Sequence, residues 1–219
     1  MAYVVHQYLL KQTLHVRITN GDVMKRELKL LIATFLIILI FILSIVSFRL
    51  INDNNGLTAM EGKSIADNIA QDWNTSAELV TIHSIGGADN SGMCLEWRYT
   101  YANFNGSANA SRALDVIVSQ NGSWTINERA RPPTPHRLTN WTYDSDQIVT
   151  LAKKESEIQQ YLNKFPNAKI ESMALSSGLN EQHTWYILWS DPGFMDDPHS
   201  AVIKLDANTG AVLYVDVQL

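Results

Sequence analysis

One cysteine, Cys94, in a chain of 219 residues leaves no partner for an intramolecular disulfide, so the fold must be held by its core. Proline is scarce at six residues, and three of the six crowd into "RARPPTPHR", Arg129 to Arg137. Such a stretch behaves as a stiff spacer and cannot enter a central strand, so residues 129–142 read as a linker. Neither G-x-S-x-G nor H-E-x-x-H occurs, and His83, His136 and His183 stand near no sequence-evident serine or cysteine nucleophile. The expectation is a non-enzymatic protein without a cofactor. Basic charge is also short beyond residue 48. The chain after residue 29 carries 12 Lys and Arg against 20 Asp and Glu, a balance of −8 that argues against a nucleic-acid partner, since phosphate binding needs a basic face.

What the chain does have is a charge-free run. "LLIATFLIILIFILSIVSF", Leu30 to Phe48, spans nineteen residues, which at about 1.5 Å per residue matches the roughly 30 Å hydrocarbon layer of a bilayer. Lys11, Arg17, Lys25, Arg26 and Lys29 precede it, and only Arg49 and Lys63 fall soon after. The positive-inside rule therefore places residues 1–29 in the cytoplasm as a tail and the remainder outside. No A-x-A pattern closes the run and Cys94 is far from it, so an uncleaved signal anchor in a single-pass cell-membrane protein is expected. Met24 opens "MKRELK", a positively charged n-region of its own, so either Met1 or Met24 can serve as the start. Five N-x-[ST] sequons, at Asn74, Asn105, Asn109, Asn121 and Asn140, follow the run and are glycosylation candidates on the outer side.

The outer segment reads as a duplication. "LTAMEGKSIADNIAQDW" has Thr58 and Glu61 at capping-box spacing, then Ile65, Ile69 and Trp73 on one helical stripe. "YDSDQIVTLAKKESEIQQYLNKFP" repeats the device with Asp144 and Gln147, then Ile148, Leu151, Ile158, Leu162 and Phe165, stopped by Pro166. Strand patterns follow each helix at offsets of about 90 residues, judged from Gly87 with Gly178, Phe104 with Phe194, and Gly122 with Gly210. In the first copy Met93, Leu95, Trp97, Tyr99 and Tyr101 alternate with Cys94, Glu96, Arg98 and Thr100, predicting one apolar and one polar face. The expected architecture is α+β: a transmembrane helix, 30–48, then two tandem units, 58–128 and 143–219, each one helix packed on a small antiparallel sheet.

The final hairpin, "AVIKLDANTGAVLYVDV", resembles the closing hairpin of the PepSY domain through Asp206, Thr209, Gly210, Val212 and Leu213. The resemblance extends over Tyr143 to Leu219 and is architectural over Thr58 to Glu128, where "SQNGSWTI" lacks the Asp and the Thr. It implies a membrane-anchored extracytoplasmic module that binds another envelope protein or restrains a peptidase in trans, with no catalytic residues to carry over. A structural or assembly subunit of pilin-like arrangement is the alternative, and a metal-dependent sensor or enzyme a further one.

Two patches remain as site candidates. Asp191, Asp196, Asp197 and His199 fall within nine residues and are the groups that would hold an ion, yet their spacing departs from the calcium loop D-x-[DN]-x-[DN]-G. Pro192, Gly193 and Pro198 fit an acidic surface turn, so no metal is expected. The strand "TWYILWS" is apolar on both faces, which marks Trp185, Tyr186 and Trp189 for a contact with the other copy or with a partner.

Overall fold

The computed structural model, described over residues 56–104, 112–132, 136–178, 182–191 and 199–218, has eight strands and three helices among those residues. The order is α1 Ala59–Trp73, β1 Ala77–Ile85, β2 Glu96–Asn103, β3 Arg112–Ser119, β4 Trp124–Arg129, α2 Ser145–Ala152, α3 Ser156–Lys164, β5 Lys169–Ser177, β6 His183–Ser190, β7 Ser200–Asp206 and β8 Val212–Val217. The run Leu30–Phe48 lies outside the described residues, and among those described no helix is long and apolar enough to cross a membrane.

The expected pair of separate helix-on-sheet units does not form. All eight strands join one antiparallel sheet in the order β4-β3-β2-β1-β5-β6-β7-β8. The cause is an edge. In a meander the first strand leaves one row of N–H and C=O groups unpaired, and here the two first strands satisfy each other, with Thr81, Ile82 and His83 facing Ser176, Leu175 and Ala174. Ser84 extends the seam, its hydroxyl accepting from Met173 N–H at 2.8 Å. One row of side chains then crosses the whole sheet on one face: Ile126, Val116, Tyr99, Ile82, Leu175, Trp185, Leu205 and Val212. The helices lie on that face and share one core with it.

Size complementarity sets how α1 sits. Its buried stripe is Ala59, Gly62, Ala66 and Ala70, while the predicted Ile65, Ile69 and Trp73 pack only partly buried along its flanks. The sheet beneath presents Trp97, Tyr99 and Tyr101, all buried, and large rings below require small residues above. Gly62 is the closest approach: a Cβ there would stand 2.3 Å from the Tyr99 hydroxyl oxygen. The second copy differs from the single predicted helix. Lys154 and Glu155 N–H groups bond back three residues, to Leu151 and Ala152, and this tight turn splits the helix into α2 and α3. The buried stripe is Ile148, Val149, Ala152, Ile158 and Tyr161, with Leu151 and Leu162 only partly covered.

Both capping boxes form, and the two helix starts meet. Met60 N–H donates to Asp144 Oδ1 at 3.1 Å and Ala59 N–H to Ser145 Oγ at 3.2 Å, so the second copy caps the first. Below the junction the indoles act as a pair. Trp97 Nε1–H donates to Leu57 O at 2.7 Å, Trp185 Nε1–H to Tyr143 O at 2.9 Å, and the rings meet edge to face at 6.3 Å. Burial raises the Asp144 pKa above the ordinary carboxylate value, against the lowering pull of bonds from Thr58, Ser145 N–H and Met60 N–H.

The closing hairpins show why their residues recur. Asp206 Oδ1 accepts from Asn208 N–H at 2.9 Å and Thr209 N–H at 2.8 Å, and Gly210 takes φ +71°. Slight burial acts to raise the Asp206 pKa, but bonds from Thr209, Asn208 and Gln182 outweigh it and hold the carboxyl below its usual value. In the first copy Asn121 Oδ1 accepts from Ser123 N–H at 2.9 Å and Gly122 takes φ +79°, an equivalent turn without the Asp or the Thr.

Candidate functional site

A groove opens where α1, the β1–β2 end of the sheet and residues 137–141 come together. The chain emerging from the proline-rich stretch is tied down by Leu138 N–H, which donates to Leu79 O at 2.7 Å, and by an ion pair between Arg137 and Glu78. The Arg137 guanidinium also lies 4.7 Å over the Phe104 ring. This segment becomes one wall. The opposite wall is a face of α1, where Lys63, Asp67 and Gln71 recur every four residues. Leu79, Tyr101, Leu138 and Ala70, all buried, make the floor. The groove has a volume of about 440 Å³, within the range of small ligand sites.

Polar groups in the groove are placed by side-chain contacts. Asp67 accepts from Lys63 Nζ at 2.5 Å and from the Tyr101 hydroxyl at 2.6 Å. Burial and then the Asp67 carboxylate push the Tyr101 hydroxyl pKa well above its ordinary value, so it stays a donor. Lys63 Nζ stands 5.9 Å from the Trp141 ring centre. Trp141 Nε1–H is buried and has no acceptor among the described residues. Taken together, the groove offers an aromatic wall, a fixed carboxylate and an unused donor. These hold a ligand by stacking and hydrogen bonds.

The residues singled out from sequence fall elsewhere. Trp185 and Trp189 are buried in the core, so neither presents a partner surface; of that trio only Tyr186 sits on the other sheet face, half-buried. The two copies dock through the β1–β5 edge and not through that strand's second apolar face. Asp191 and His199 are neighbours across a loop, Asp191 N–H donating to His199 O at 3.3 Å, and the His199 ring stacks on Phe165 at 4.5 Å. Asp196 and Asp197 lie outside the described residues, among which no group of three His, Cys, Asp or Glu could hold an ion. Asn121 is exposed in a hairpin turn, Asn140 is exposed at the groove rim, and Asn74 caps the end of α1; Asn105 and Asn109 lie outside the described residues.

Cys94 and Leu95 exchange the places that alternation predicts: Cys94 is 1% exposed and Leu95 63%. The strand begins only at Glu96, and a bridge between Leu57 and Cys94 resets the phase ahead of it. Burial pushes the Cys94 thiol up to about 12, and Sγ donates to Gly87 O at 2.6 Å. Sequence reading passed over Lys63, Asp67, Arg137 and Trp141. The i,i+4 spacing of Lys63 and Asp67 was a usable signal, but Trp141 gains its place only when the linker folds back onto β1.

No family model and no curated protein matches the chain. Among solved structures it is similar to a crystal structure described as a "putative lipoprotein" from Clostridium difficile 630, at 16% identity and TM-score 0.45, covering 70% of this chain and 90% of that one. A likeness of that size carries no function to this chain.

Proposed function

We propose that this chain is a membrane-anchored binding module on the outer face of a cell envelope, and that its groove takes a segment of another extracytoplasmic protein. The observation that carries the reading is the Trp141 indole N–H, buried beside the groove with no acceptor among the described residues. An unsatisfied buried donor costs roughly 1–3 kcal/mol, and a peptide carbonyl entering the groove would relieve it. Asp67 and the exposed amides of Gln71 and Asn140 are at hand for a peptide N–H. Anchorage is supported by the charge-free run Leu30–Phe48 and by the basic residues that precede it. The PepSY resemblance makes an extracytoplasmic peptidase the first partner to examine, with restraint in trans as the action.

The test is site-specific photo-crosslinking on the full chain in its membrane, with the probe at Gln71 or Asn140 and a control at Lys204 on the opposite sheet face. One extracytoplasmic protein is expected from both groove positions and not from Lys204. Trp141→Phe, which keeps an aromatic side chain and removes the donor, should cut that yield, since each 1.4 kcal/mol is about tenfold in affinity. Equal yields from both faces, or none from the groove, overturn the reading. If the captured protein is a peptidase, its cleavage rate should fall on adding the wild-type chain and fall less with Trp141→Phe.

A further inference from the structure

The sheet face away from the helices holds a cation, Arg98, that no carboxylate among the described residues neutralises. Arg98 lies mid-strand in β2, in register with His83 of β1 on one side and Ile117 of β3 on the other. It is half-buried, and its Nε is buried with no hydrogen-bond partner. The contrast with its fellows decides the point. Arg112 pairs with Glu128, Arg129 with Asp115 and Arg137 with Glu78, whereas among the described residues no carboxylate reaches Arg98. Glu96, two residues along the same strand face, already accepts from Ser119 Oγ at 2.8 Å. A guanidinium keeps its charge in any protein setting. Leaving a charged donor unsatisfied in a partly buried position is unfavourable, and here it happens within an acidic part of the chain.

A histidine stands next to it, and a serine next to that histidine. His83 is exposed and adjacent to Arg98 across the β1–β2 ladder, a spacing at which opposed Cβ atoms are roughly 4.5–5.5 Å apart. Ser172, from β5, places Oγ 3.3 Å from His83 Nε2. The three residues thus come from three neighbouring strands and straddle the seam between the copies. We propose that Arg98, His83 and Ser172 form a binding site for a tetrahedral oxyanion, either free phosphate or a phosphate monoester. The fork of Arg98 can take two of its oxygens and the His83 and Ser172 groups the others, an arrangement that suits a phosphate better than a flat carboxylate. This site is on the opposite face from the groove and does not depend on it.

The test is a titration of the full chain in detergent micelles, reading the NMR signals of Arg98 Nε–H and the His83 ring against inorganic phosphate, glycerol phosphate and acetate. Saturable shifts with one or both phosphates are expected, with acetate at least several-fold weaker. Whether free phosphate or the ester binds more tightly tells which of the two the site is suited to. Arg98→Gln should abolish saturation with little loss of stability, because no hydrogen bond or ion pair of its guanidinium to the described residues is lost. Ser172→Ala should weaken binding a few-fold, and Lys204→Gln, further along the same face, should leave it unchanged. Absence of saturation up to about 50 mM phosphate, equal binding of acetate, or an unchanged response in Arg98→Gln overturns the proposal.

Discussion

Gly62→Ala separates the packing argument from helix propensity, because the two predict opposite signs. In an exposed helix interior, replacing Gly by Ala gains about 1 kcal/mol. At Gly62 the new Cβ would stand 2.3 Å from Tyr99 Oη and 3.1 Å from Cζ, closer than a methyl carbon can approach. Tyr99 has nowhere to go: it is 0% exposed and its hydroxyl donates to Ala59 O at 2.8 Å. Either the ring shifts and that bond breaks, costing about 1–3 kcal/mol for a buried polar group left unsatisfied, or α1 lifts and loses packing worth about 1–3 kcal/mol. Set against the propensity gain, either route leaves a net loss of about 0–2 kcal/mol, and both together about 1–5 kcal/mol. For a chain of this size each kcal/mol moves Tm by roughly 2–4 °C. Denaturant unfolding followed by tryptophan fluorescence would read the loss, and Tyr99→Phe supplies the control. With the hydroxyl gone the clash eases, so the double variant should be more stable than the sum of the singles predicts, by about 1 kcal/mol or more. A Gly62→Ala chain more stable than wild type would refute the reasoning.

Ser84→Ala should destabilise by about 1–3 kcal/mol, because it strands the buried Met173 N–H at the β1–β5 seam; equilibrium unfolding reads this, and a neutral result would mean the seam bond is unimportant. Asp144→Ala removes caps from two helices at once and should lose more than the usual single-cap cost of about 1 kcal/mol, whereas Asp144→Asn retains the acceptor and should lose less. Because burial raises the Asp144 pKa in the folded state, the native protein binds that proton more tightly than the unfolded chain does. Its contribution to stability therefore falls as pH climbs from the ordinary carboxylate value toward the raised one, and the difference in unfolding midpoint between wild type and Asp144→Asn should change over that window. Cys94, with its thiol pushed up to about 12 and buried, should resist alkylation at pH 8 in the folded protein and react fully once unfolded; rapid labelling of the native chain would contradict its placement.

What was legible in the sequence is what depends on near neighbours. The Thr58 and Asp144 capping boxes need only residues three apart, and the Gly122 and Gly210 turns need only a glycine free to take positive φ after a short polar side chain. The alternation of Trp97, Tyr99 and Tyr101 likewise placed the buried face of β2 correctly. Alternation failed at Cys94 and Leu95, where a bridge to Leu57, distant in sequence, resets the phase. The inward stripe of α1 was misjudged because hydrophobicity picks Ile65, Ile69 and Trp73, while steric fit over large aromatic rings picks Gly62, Ala66 and Ala70. Ring size on a partner element is not a property of the helix's own sequence.

By itself the sequence determined the duplicated order of elements, the charge-free run and the two hairpin turns. Only the tertiary structure decided that the copies merge, since two unpaired strand edges of matching apolar pattern satisfy more backbone groups together than apart. The same merger put Trp185 in the core beside Trp97 and set Ser172 against His83. Folding the linker back onto β1 made the groove, because Trp141 and Asp67 stand 74 residues apart in the chain and meet only across that contact.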